Sequence, residues 1–163
     1  YVTPMLIHIS GFSPASMTAL MMLAGFGMVV GNLTSGRLSD RYTPGRVGAT
    51  VQGMICIILL LIFFLAPHPW CAALLMASCT ACLFAVSSPE QVSIIRVAAG
   101  GEMFGAACVQ VAFNLGNAIG AYCGGKVLHW GYQYPALIGV PLALVGFILL
   151  TRYYKKYESQ YHS

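Results

Sequence analysis

Three amide side chains, Gln110, Asn114 and Asn117, stand at i, i+4 and i+7 and share one face of any helix that carries them. Amides both donate and accept hydrogen bonds. They suit a water-filled cavity that binds hydroxyls or polar groups of a small molecule, or equally the bonding of one helix to its neighbour. Gly116, Gly120 and Gly124 recur every four residues around the same helix, displaced from the amides by about 100°. That spacing lets two helices approach closely, and Gly27 with Gly31 repeats it. A second group is charged: Gly36-x-x-x-Asp40-Arg41, followed by Pro44-Gly45-Arg46. Here the glycine allows close approach, the aspartate can cap a helix start or pair with an arginine, and Pro-Gly reverses the chain in few residues. Glu90 follows Pro89 inside an apolar stretch, which makes it a candidate interfacial switch or a structural partner for Arg96.

Other chemistry is thinly represented. Cys79 and Cys82 have the C-x-x-C spacing, but no histidine or second cysteine pair stands beside them, so they read as thiols in a core or against lipid. His8, His68, His129 and His162 are scattered. Phosphate-binding glycine loops, nucleophile elbows and paired catalytic carboxylates are missing. The expectation is a protein that is no enzyme and holds no metal or cofactor.

The elements that must position these groups follow from composition. The chain has 163 residues, 58% hydrophobic and 7% charged, with a mean hydropathy of +0.78, where soluble domains carry about 25% charge. A net charge of +4 offers no basic surface for nucleic acid. The six cysteines fall in or beside apolar runs, unlike a disulfide scaffold. A bilayer core about 30 Å thick takes roughly 20 apolar residues per crossing. Charges at its centre are costly, so they mark where the chain leaves it. Reading between them predicts an all-α, polytopic transmembrane helix bundle. Its five complete spans fall near Phe12–Gly36, Val47–Ala66, Trp70–Ile95, Met103–Gly125 and Tyr134–Thr151. Tyr1–Ser10 is too short to span and reads as the end of a truncated helix; it lacks the features of a secretory signal. With no initiator Met, the chain is expected to be a fragment. Residues 1–152 form the membrane half-bundle and 153–163 a polar, basic, poorly ordered tail.

Orientation rests on Lys and Arg. Arg37, Arg41, Arg46, Arg96, Arg152, Lys155 and Lys156 fall on one side and only Lys126 on the other, which predicts that the first group and the C-terminus are cytoplasmic. Trp70, Trp130, Tyr132 and Tyr134 at one set of ends, with Tyr42, Tyr153, Tyr154 and Tyr157 at the other, match interfacial belts.

The segment Gly31 to Arg46 resembles the signature loop of the major facilitator superfamily, in the weaker copy between helices 8 and 9. Ile9-Ser10-Gly11-Phe12-Ser13, Gly27 to Asn32 and Phe113 to Tyr122 are similar to the arabinose-efflux and drug/proton antiporter branch of that superfamily. The resemblance covers nearly the whole chain and implies the carboxyl-terminal half, helices 7 to 12, of a twelve-helix transporter. It further implies that Gly36, Asp40, Arg41 and Arg46 hold a cytoplasmic gate, and that the coupling acid lies on the first helix of a missing amino-terminal half. Secondary-active, proton-coupled efflux of a small sugar-like or drug-like solute across the cell's inner membrane is the function implied. The alternative is a five-span component or inactive fragment that associates with partner helices and transports nothing alone. The partners expected are therefore a small-molecule substrate, the lipid bilayer and the missing half.

Overall fold

The computed structural model describes residues 2–158. Among them are six α-helices and no strand: α1 (Val2–His8), α2 (Met17–Arg41), α3 (Pro44–Leu65), α4 (Pro69–Val97), α5 (Glu102–Val127) and α6 (Tyr134–Tyr153). The last five are long and apolar enough to cross a membrane. Prolines open α3, α4 and α6 within their first turns, where a missing N–H costs nothing. Gly100, at φ +83°, makes the tight passage from α4 into α5 that a side chain would strain.

α4 is the centre of the bundle and touches α2, α3 and α5, while α3 lies between α4 and α6. α2 and α4 run parallel, with small residues facing along their length. A Cβ at Gly27 would stand 3.3 Å from the Ala77 carbonyl oxygen, and one at Gly31 only 3.0 Å from the Ala81 carbonyl carbon. One turn on, Ser35 Oγ donates a hydrogen bond to the Ala85 carbonyl. That carbonyl is the one Pro89 leaves without a helical donor, since proline has no N–H to give to the residue four earlier. Pro89 is among the most deeply buried side chains, and Ser35 is 3% exposed. In hydrocarbon an unsatisfied carbonyl costs several kcal/mol, so this one bond sets the register of two helices.

α3 and α6 are antiparallel and pack through glycines. A Cβ at Gly53 would meet Phe147 at 3.1 Å, and Gln52 Nε2 donates to the Ala143 carbonyl at 3.0 Å in the space that Gly146 leaves open. At the end away from the arginines, Met5, Leu6, Met17, Ile62 and Ala72 form a buried cluster. There Ser10 Oγ closes the C-terminal end of α3 by donating to the Ala66 carbonyl at 2.7 Å.

Three sequence expectations need correction. Gly36 to Arg41 is not loop: α2 runs on to Arg41, leaving only Tyr42 and Thr43 between it and α3. Charge marks the edge of the hydrocarbon, not the end of the helix, because a helix continues into water at no such penalty. At the start of the same span, Phe12 precedes a short 3-10 turn, Pro14–Ser16, and the α-helix begins at Met17. Lastly, the chain stays ordered beyond Tyr153. Tyr154–Glu158 forms a π-helical turn, with Glu158 8% exposed and accepting the Gly45 N–H at 2.8 Å. Residues 159–163, with His162, and Tyr1 lie outside the described residues.

Two stability measurements follow. Gly31→Ala should lower stability by about 1–3 kcal/mol through overpacking, whereas Gly116→Ala, with nothing within 4 Å of its Cβ, should be neutral or slightly stabilising; unfolding midpoints in detergent compare them. Ser35→Ala should cost about 1–3 kcal/mol by stranding the Ala85 carbonyl. In a Pro89→Ala background the restored N–H takes that carbonyl, and the same substitution should cost under about 0.5 kcal/mol. A double-mutant cycle reads the difference, and equal costs in both backgrounds would refute the pairing.

Candidate functional site

Pro89 lies inside α4, and residues around it face α5 and α6. Beside it the three helices border a cleft of about 830 Å³. α4 contributes Ser87, Glu90 and Gln91 to it, α5 contributes Gln110 and Phe113, and α6 contributes Tyr153. Glu90 is half-buried here. The cleft therefore combines an aromatic and aliphatic lining with one carboxylate and two amides. That chemistry binds and orients a polar or amphipathic molecule. It supplies no nucleophile and base pair, and among the described residues no group of three metal-ligating side chains exists.

The cleft brings Glu90 and Gln110 together, which sequence reading had placed in separate roles. It does not bring in Arg96: no ion pair joins Glu90 to Arg96 among the described residues. The reason is spacing, since six residues put the two side chains well apart around the helix, whereas pairing needs three or four. Asn114 and Asn117 continue the Gln110 face of α5 beyond the cleft, and both are exposed. The glycine stripe beside them makes no contact inside this chain at Gly116 or Gly120, where a Cβ would meet nothing within 4 Å; Gly124 alone is buried. α5 packs on α4 and α6 more sparsely than α2 packs on α4, leaving the amides and Gly116 and Gly120 open.

On the far side of α4, the charged motif takes its place. Gly36 lies over Ser88, whose Oγ would be 3.5 Å from an added Cβ. Asp40 and Arg41 occupy the last turn of α2, and Arg46 the first turn of α3, with its guanidinium carbon 5.6 Å over the Tyr42 ring. Asp40 neither caps α3 nor pairs with an arginine among the described residues. The acid at the start of α3 is Glu158, whose carboxylate holds the Gly45 N–H at the positive end of the helix dipole. A Cβ at Gly45 would stand 2.6 Å from that carboxylate oxygen and 3.0 Å from Tyr153. A side chain here would displace the carboxylate or the Tyr153 ring.

Sequence reading missed Ser35, Gln52 and Glu158. The first two are polar residues within apolar spans, a signal that was present. Their partners, 50 and 91 residues away, were not inferable. Cys79 and Cys82 are free thiols, the first buried and the second half-buried. The aromatic clusters sit at helix ends: His8 stacks on Tyr132 with centroids 4.9 Å apart, and Trp130 meets Tyr134 edge-on at 6.1 Å.

Comparison with known proteins agrees with this architecture. The family model described as Major Facilitator Superfamily matches residues 1–162. AraJ of Escherichia coli (strain K12) is 44% identical over 162 residues, which cover 98% of this chain and 41% of AraJ. The inner membrane transport protein YdhP of Escherichia coli O157:H7 is 36% identical over 155 residues, 92% of this chain and 39% of YdhP. YfhI of Bacillus subtilis (strain 168), an uncharacterized MFS-type transporter, is 30% identical over 154 residues, 93% of this chain and 38% of YfhI. The chain thus spans about two fifths of the length of these curated relatives. No solved structure gives a significant match. With five membrane-length helices, a charged junction between the first two of them and a family match along almost its whole length, the chain belongs to the Major Facilitator Superfamily, a family of membrane transporters and not of enzymes.

Proposed function

We propose that this chain is the carboxyl-terminal half of a secondary-active transporter that exports a small sugar-like or drug-like solute by alternating access. The observation that carries the reading is α5. A helix in contact with lipid does not present Gln110, Asn114 and Asn117 along one side, because each amide transferred to hydrocarbon without a partner costs several kcal/mol. All three are exposed in this chain. The face they form is suited to water and substrate between two halves of a transporter, where this fold class binds its cargo near mid-depth. The neighbouring open glycines at 116 and 120 are suited to a helix from the other half. These same glycines favour the second reading, a component that only associates with partner helices, and the two share the prediction that α5 is covered in the assembled protein.

Glu90 in the cleft and the Gly36–Asp40–Arg41–Arg46 junction at one end of the bundle supply the moving parts of this reading. Asp40, unpaired among the described residues, is available to a cation or helix start of the other half in the opposite state, which biases a two-state equilibrium. The arginine-rich ends face the cytoplasm by the positive-inside rule. Location in the inner membrane agrees with the name of YdhP. Coupling to protons, in this reading, uses an acidic residue of the other half.

The test is transport by the complete protein in proteoliposomes, with a panel of sugars and amphipathic drugs and an imposed pH gradient. Asn114→Leu should weaken binding of the transported solute about threefold to tenfold, the worth of one hydrogen bond, while leaving the unfolding midpoint unchanged. Wild-type affinity in that variant would remove Asn114 from the cavity. Solute movement indifferent to the pH gradient would remove proton coupling.

A further inference from the structure

Apart from Arg46 at its mouth, the space between α2 and α3 has no part in the reading above. The two helices are joined by two residues, but α2 leans on α4 and α3 is shared between α4 and α6, so they diverge. They leave a groove of about 380 Å³. Its floor is Ser35 and Ala85, and its walls are Leu38 from α2 with Val47, Val51 and Met54 from α3. Two threonine hydroxyls reach it, and both are turned back into their own helices. Thr34 donates to the carbonyls of Val30 and Gly31 at 2.7 and 3.0 Å, and Thr50 to that of Arg46 at 2.9 Å. The groove thus presents hydrocarbon walls.

Its mouth is different. Arg46 stands there over the Tyr42 ring, and no carboxylate lies within ion-pair distance of it among the described residues. Arg37 and Arg41 lie on the last two turns of α2, with Asp40 the one acid between them. From Arg46 to Met54 the groove follows eight helical steps, about 12 Å at 1.5 Å each. One leaflet of a hydrocarbon core about 30 Å thick is about 15 Å deep. An uncompensated cation at the edge of the bilayer, above an apolar slot that runs most of the depth of one leaflet, is complementary to an amphiphile with one anionic head and one chain of that reach.

We propose that this groove is a binding site for an anionic phospholipid, with the phosphate on Arg46 and one acyl chain lying between α2 and α3 on Ala85. Cations near a membrane surface attract anionic lipid with a strength equivalent to about fivefold in affinity per arginine. Basic pockets between membrane helices hold such headgroups in this manner. A helix from another chain or another part of the protein is the competing occupant.

The test is native mass spectrometry of the complete protein, released from detergent after titration with phosphatidylglycerol or phosphatidylethanolamine. Wild type should retain phosphatidylglycerol in preference to phosphatidylethanolamine. Arg46→Gln should reduce that retention about fivefold and leave the weaker retention of phosphatidylethanolamine as it was. Thr50→Trp, at an exposed position on the groove wall, should block the slot and lower phosphatidylglycerol retention with Arg46 intact. It decides the matter alone if Arg46→Gln fails to fold. Equal retention of the two lipids by wild type, no retention at all because protein fills the groove, or wild-type retention in Thr50→Trp would each overturn the proposal.

Discussion

Pro89 has no N–H to return to the carbonyl of Ala85, and the interior of a bilayer has no water to offer in its place. Ser35 provides the donor from α2. Much of the bundle is arranged around that single substitution of a side-chain hydroxyl for a backbone amide. It locks α2 beside α4 in parallel, which seats Gly27 on Ala77, Gly31 on Ala81 and Gly36 on Ser88 at successive turns. Glu90, the very next residue, lines the cleft bounded by α5 and α6. A proline that needs a partner is more than a weakness in a helix. It ties the position of the charged α2–α3 junction to the shape of the cleft on the opposite side of α4.

The remaining polar contacts between segments share one form. Gln52 reaches the Ala143 carbonyl, Ser10 the Ala66 carbonyl, and the Gly45 amide reaches the Glu158 carboxylate. Each joins a side chain to a backbone group, and the interfaces between them are glycine against aromatic or aliphatic side chains, as at Gly53 and Phe147. With little hydrophobic drive between helices in lipid, close packing and such bonds carry the association. α5 lacks both along most of its length, and it is the helix that carries the exposed amides.

The count and class of the helices were legible in the sequence because a bilayer imposes one rule everywhere: long apolar runs, interrupted where charge is tolerated. That rule speaks about depth and not about backbone, so it misread Gly36–Arg41 as loop and Tyr154–Glu158 as tail. The polar contacts were hidden for another reason. Ser35, Gln52 and Glu158 are each visible as polar residues, but the choice of partner depends on rotation and register of helices tens of residues apart, which periodicity does not encode. Asp40 and Glu158 illustrate it: both are acids near the same membrane edge, and geometry alone decides that Glu158 meets the start of α3. Likewise the glycines of α5 have the same spacing as those of α2, but Gly27 and Gly31 meet a neighbouring helix where Gly116 and Gly120 meet open space.

The contact between Gly45 and Glu158 joins residues 113 positions apart. α3 is made before the carboxylate that covers its first turn, which is translated last among the described elements. At about 5–20 residues per second, a separation of 113 residues leaves that helix end bare for roughly 6 to 23 s of synthesis. During this interval water or lipid headgroups must serve the Gly45 amide in place of Glu158. The α3 start is thus covered only after the turn Tyr154–Glu158 has been made, and the order in which the ribosome delivers the helices sets when that contact can close.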